Sequence, residues 1–140
     1  MKHAKFGNRY VLRLYRDEDI IPTLTAFVRE RGIPAGELSG IGAVREVILG
    51  YFDLETRKYI REEFPESCEL AGLSGNLSQV KGEPFFHLHA TIADRRHTAR
   101  AGHLFSARVS VTLEVVLTPF SENLERTWDQ EVGLNLLNLP

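Results

Sequence analysis

The chain has 140 residues, 43% hydrophobic and 26% charged, with a formal net charge of −2. These values exclude global disorder, suffice for one domain (residues 1–140) with a real core, and leave no overall basic excess of the kind that neutralises nucleic-acid phosphates. The single cysteine, Cys68, cannot form an internal disulfide, which points to a reducing, cytoplasmic setting. No apolar run approaches the ~18 residues needed to span a bilayer, and Met1-Lys2-His3-Ala4-Lys5 lacks the apolar stretch of a signal peptide.

In chain order, Arg9 to Tyr15 reads as a strand, rich in β-branched and aromatic residues. Asp17-Glu18-Asp19 supplies helix-capping and acidic first-turn residues. Pro22, tolerable only in a first turn, places the helix start nearby. Ile20, Leu24, Phe27 and Val28 follow at helical spacing, and Gly32 and Pro34 stop the helix.

The rest reads mostly as strand: Glu37 to Ile41 between glycines, Val44 to Leu54, a turn at Glu55-Thr56-Arg57, then Lys58 to Phe64. Glu69 to Ser78 is interrupted by Gly72 and Gly75, which signal bulges or close backbone approach. A turn at Lys81-Gly82-Glu83 leads into Phe85 to Ala93, and Asp94 to His97 connect back. In Arg108 to Thr118 the alternation puts Val109, Val111, Leu113, Val115 and Leu117 on an apolar face, with Arg108, Ser110, Thr112 and Glu114 opposite. Strands joined by short turns, with one main helix, predict a compact antiparallel α+β domain. The apolar tail from Gly133 to Pro140 is expected to add a strand, pack on the domain or meet a neighbouring subunit.

Three histidines carry the clearest chemistry. His87 and His89, two apart in a strand, point to one face, and a hairpin would return His103 beside them. Three imidazoles form an open metal site suited to zinc, copper, iron or nickel, with a position left for water or ligand. Alternatively, they are hydrogen-bonding residues of a polar face. His3 and His97 lie at a terminus and a turn. Glu114, alternating with Thr112 and Ser110, is the candidate general base or ligand-orienting carboxylate; Glu83 and Asp94 suit salt bridging or solvation. Asn76 is either a polar contributor to a site or a turn residue. Arg95, Arg96 and Arg100 form a local basic cluster, either a nucleic-acid contact or a solvated loop. Gly40-Ile-Gly42 lacks the third small residue and the helix of a dinucleotide-binding turn and reads as a strand-linking turn. Cys68 reads as a packing residue.

Ser39-Gly-Ile-Gly-Ala-Val44, Leu73-Ser-Gly-Asn-Leu-Ser78, Gly82-Glu-Pro-Phe-Phe-His-Leu-His89, Gly102-His-Leu104 and Val111-Thr-Leu-Glu-Val115 occur in an order that resembles the plants-and-prokaryotes-conserved (PPC) domain, over nearly the whole chain. The resemblance implies an antiparallel α+β domain assembling as a homotrimer. It also implies that His87, His89 and His103 gather as a divalent-metal site, for which zinc is the first choice, and that the site binds or acts on a small molecule. Prokaryotic members are often labelled DNA-binding, but the Arg-Gly-Arg-Pro hook of plant members is absent here. DNA binding through Arg95, Arg96 and Arg100 is therefore the alternative to a metal-dependent enzyme or binding protein.

Overall fold

A computed structural model describes residues 1–140. Its elements are β1 (Lys2–Phe6), β2 (Arg9–Tyr15), α1 (Ile20–Arg31), β3 (Ala35–Asp53), β4 (Lys58–Phe64), β5 (Cys68–Val80), β6 (Glu83–Ala93), β7 (Ala99–Phe120), β8 (Arg126–Asp129) and β9 (Leu134–Leu137). Seven strands form one sheet in the order β1-β2-β7-β6-β5-β3-β4, and β3 also pairs with β7. That last pairing closes β7, β6, β5 and β3 into a ring, which removes their free edges. All the pairings between these strands are antiparallel, as expected for the α+β class.

Each ring strand turns one set of alternate residues inward. Leu73 and Leu77 of β5, Leu88 of β6, and Leu104, Leu113 and Leu117 of β7 are almost wholly buried, joined by Leu12 and Leu14 of β2. Burying one such side chain contributes about 1.5–3 kcal/mol, so the ring interior dominates stability. Helix α1 adds Ile20, Leu24, Phe27 and Val28 to the same core.

The helix lies where its spacing and punctuation predict. Pro22 occupies the first turn, and Gly32 ends the helix in the left-handed conformation at φ 61°. Its amide donates to the Arg29 carbonyl, and the Ile33 amide to that of Val28. Asp19 holds the N-cap position, yet its carboxylate makes no cap hydrogen bond. It accepts instead from Nε of Arg108 at 3.1 Å.

Four features differ from the sequence reading. Strand β1 was not anticipated: every residue is exposed, so no alternation marks it. Gly40-Ile41-Gly42 is no turn; β3 runs through it with a register shift against β5. At Gly42 a Cβ would run into the backbone of Thr112 and Leu113, so the glycine permits close approach to β7. Strand β7 is far longer than Arg108 to Thr118. Val111 is 67% exposed although Val109, Leu113, Val115 and Leu117 are buried. The register explains this: β7 advances from Val109 to Leu113 while β3 advances only from Val44 to Gly42, so Ser110, Val111 and Thr112 form a bulge without partners on β3. The tail folds as expected, β9 pairing with β8 in a hairpin.

Candidate metal centre

Phe86, Leu88, Ala90 and Ile92 take the buried positions of β6, which leaves His87 and His89 on its outer face. On β7 the burial of Leu104 turns His103 outward, and the hairpin register sets His103 directly opposite His89. Directly paired residues share a face, so the three imidazoles converge: ring centroids lie 5.2 Å apart for His87–His89, 5.3 Å for His87–His103 and 5.6 Å for His89–His103. One ring nitrogen of each lies within 4.8 Å of the others. A tetrahedral zinc ion needs its nitrogens about 2.0–2.1 Å away, within reach of modest rotations of these rings.

Adjacent strands fix the rings. Gly50 of β3 is the other partner of His103. A Cβ on Gly50 would collide with the Phe105 ring and crowd Tyr59, and both rings stack near His103, at 4.8 and 5.0 Å. On the opposite side Asn76 pairs with His87 in register and Ser74 with His89. The C-terminal hairpin closes over this face. Arg126 donates from Nε to Ser78 Oγ at 2.8 Å, from Nη1 to the Asn135 carbonyl at 3.0 Å and from Nη2 to Asn76 Oδ1 at 2.9 Å. Nη2 also lies 3.4 Å from Nδ1 of His87. Arg126, Tyr59, His87 and His103 line one cavity of about 420 Å³, together with Trp128 and Leu134.

The donor set suits a metal. Burial, reinforced by the Arg126 guanidinium and His89, holds the His87 pKa below its usual value. The same burial, followed by the charges of His87, His89, Arg61 and Arg126, brings His103 down to about 4. Both therefore keep the neutral form, which ligates metals. Nδ1 of His103 is buried with no hydrogen-bond partner. A buried polar atom left unpaired is costly, and a metal ion bound at that nitrogen would satisfy it.

The other sequence candidates lie elsewhere. Glu114 is exposed, paired with Arg13 and Ile41. It lines a separate depression with Ile41, Glu69 and Thr112 and does not line the cavity of His87 and His103. Glu83 bonds Arg29 at 2.5 Å. Asp94 accepts from the amides of Arg96 and Thr98, and those bonds hold its carboxyl below the usual range. Arg95, Arg96 and Arg100 gather at the β6–β7 turn, but around a depression of about 610 Å³ that also contains Glu63, Glu66 and Asp94. Cys68 packs with its Sγ 3.6 Å from the Val44 carbonyl, and burial pushes the thiol pKa up. His3 contacts Arg31 and Phe27, and His97 sits in the turn at φ 62°. Sequence reasoning missed Arg126 and Tyr59. Nothing local marks either, because pairing along β3 and β4 and the tail's return bring them to the histidines.

Known proteins share this architecture. A candidate DNA-binding protein from Bacteroides thetaiotaomicron superposes with a TM-score of 0.94 at 35% identity, over 98% of this chain and 96% of that one. A metal-containing protein from Archaeoglobus fulgidus gives 0.88 at 36% identity, over 96% of each. A plant- and prokaryote-conserved (PPC) protein from Pyrococcus horikoshii gives 0.87 at 27% identity, over 99% and 94%. The chain is also 31% identical over 115 residues to the bifunctional protein GlmU of Synechococcus sp., but spans only 17% of that protein's length. A family model, the Plants and Prokaryotes Conserved (PCC) domain, matches residues 1–121. With its histidines facing one another across β6 and β7 and its fold shared nearly end to end with these structures, the chain belongs to the Plants and Prokaryotes Conserved (PCC) domain family.

Proposed function

We propose that this protein holds a divalent metal ion, zinc first among the choices, on His87, His89 and His103, and uses the adjoining cavity to bind or act on a small molecule. The observation that carries the reading is the convergence of three imidazoles from two strands, with Nδ1 of His103 buried and unpaired. The name of the Archaeoglobus fulgidus relative, a metal-containing protein of the same fold, supports it. Such an ion would supply Lewis acidity and an open coordination position. The chain itself contributes ring-orienting walls from Phe105 and Tyr59, a positive charge from Arg126, and a partly apolar enclosure. The cavity wall contains no carboxylate, so binding is better supported than proton abstraction by an acidic residue.

The reading includes a cytoplasmic homotrimer. Val11, Ile41, Val111 and Val116 are exposed on the outside of β2, β3 and β7, an apolar surface that neighbouring copies would cover. The mixed charge around Arg95, Arg96 and Arg100 gives DNA binding less support than the relatives' names do. No helix is long and apolar enough to cross a membrane.

Elemental analysis of untagged protein tests the metal reading, with His103→Ala measured alongside. Near-stoichiometric metal in the wild type and its loss in the variant is the expected result. No metal in either, even after incubation with zinc, would overturn it.

A further inference from the structure

Arg126 is 8% exposed, a nearly wholly buried cation. Its hydrogen-bond partners are a hydroxyl, a backbone carbonyl, an amide oxygen and an imidazole, all uncharged. A buried charge ordinarily has an opposite charge beside it, yet this guanidinium pairs with no carboxylate, and no acidic side chain lines the cavity it shares with His87 and His103. Arg61, stacked on Phe105 at 3.9 Å, adds a second cation behind the wall. The site thus has positive charge, neutral imidazoles and no counter-ion of its own.

From this uncompensated charge in a mostly apolar cavity we infer that the site takes an organic carboxylate with a hydrocarbon body, its carboxylate completing Arg126. The inference rests on the metal-site reading only in taking the same cavity and deepens it by naming the ligand class. Four of the five guanidinium N–H groups already have partners, leaving one on Nη1. A carboxylate brings two oxygens to that position. A phosphate would bring more oxygens and more charge than that single N–H can meet, and most of the surrounding wall, Phe85, Phe86, Leu134 and Leu136 included, is hydrophobic. The same apolar groups suit the hydrocarbon part of the ligand. Arg126 and the Trp128 and Leu134 walls come from the β8–β9 hairpin, beyond the residues 1–121 that the family model matches.

Trp128 is the only tryptophan and lines the cavity, which makes its fluorescence a reporter of occupancy. The protein, zinc-loaded and chelator-treated, would be titrated with cyclohexanecarboxylate, with the neutral cyclohexanecarboxamide and with inorganic phosphate. Saturable change with the carboxylate, at least tenfold weaker response to the amide, and none to phosphate over the same range are expected. Arg126→Gln should weaken the carboxylate at least tenfold, whereas Arg126→Lys, which keeps the charge, should retain most of the binding. Equal response to carboxylate and amide, a preference for phosphate, or no saturation by any probe would overturn the inference without recourse to a variant. Zinc content measured on the same samples reports separately on the metal site, so loss of one reading leaves the other legible.

Discussion

Nη2 of Arg126 stands 3.4 Å from Nδ1 of His87, although the two residues lie on different sheets. A guanidinium only donates, so Nδ1 of His87 is the acceptor and the imidazole proton resides on Nε2. A metal needs a free lone pair on one of these nitrogens. If Nδ1 ligates, Arg126 must withdraw; if Nε2 ligates, the proton moves to Nδ1, which then cannot accept. Imidazole ¹⁵N spectra of metal-free protein should therefore show His87 protonated on Nε2, and zinc should abolish that pattern. Arg126→Gln removes the like charge beside His87 and should bind zinc more tightly, on the order of tenfold. An unchanged His87 spectrum on adding zinc would exclude the competition.

A ligand that binds only the folded state stabilises it by mass action. With free zinc at a hundred times its dissociation constant, the gain is about 2.7 kcal/mol. Chelation should lower the melting temperature of the wild type and leave that of His103→Ala unmoved. His97→Ala, a change in the β6–β7 turn, should behave as wild type. Equal chelator sensitivity of the His103 and wild-type proteins would place the metal elsewhere.

Period-two alternation was enough to put His87 and His89 on one face, and the turn at Asp94 to His97 was enough to return His103 opposite His89. The helix was legible because Pro22, Gly32 and the apolar spacing agree. Information carried by non-local pairing was hidden. Val111 obeys the alternation of its strand and is exposed all the same, since the bulge is set by how β7 meets β3. Arg126 opens the short, polar strand β8, and its role arises only once the tail folds over Asn76 and Ser78. Glu114 looked chemical because of its strand neighbours, but it lines a different depression from the histidines.

The neutral state of His103 has a consequence for pH. In the unfolded chain a histidine titrates near 6.5, whereas burial and neighbouring charges hold His103 at about 4 in the fold. Between these values the unfolded chain binds the extra proton, so stability rises with pH across that window. The contribution is complete above about pH 6.5 and is lost as pH falls toward about 4. Metal-free protein should show this slope in urea unfolding, reduced in His103→Gln, and an NMR titration of His103 should have its midpoint near the lower value. A midpoint near 6.5 would contradict the packing described around the ring.

Gly50 is required by crowding and not by an unusual backbone angle. A methyl group there would run into Phe105, which meets His103 edge-on at 4.8 Å and Tyr59 edge-on at 4.9 Å. Overpacking of this kind costs about 1–3 kcal/mol. Gly50→Ala should lower stability by that amount in denaturant unfolding and also weaken zinc binding, because the displaced ring supports a ligand. Gly7→Ala is the informative contrast: a Cβ there meets nothing, and the cost comes only from its φ of 61°, so zinc binding should be unaffected.

The outer apolar surface supplies the last prediction. Val11 and Val116 are partners across β2 and β7, and Ile41, 59% exposed, lies beside them on β3 opposite Glu114. Single exposed hydrophobic residues are ordinary, but adjacent ones on three neighbouring strands form a patch that association would bury. If copies of the chain meet here, the protein should sediment at three times the 15.9 kDa of one chain. Ile41→Asp should release monomers, because each copy would carry an unpaired carboxylate into a desolvated interface. The isolated fold should survive the change, as Ile41 contributes little to the buried core. Circular dichroism would check that survival. A wild-type protein sedimenting at 15.9 kDa would exclude the trimer, and a variant that stays associated would move the interface away from β3.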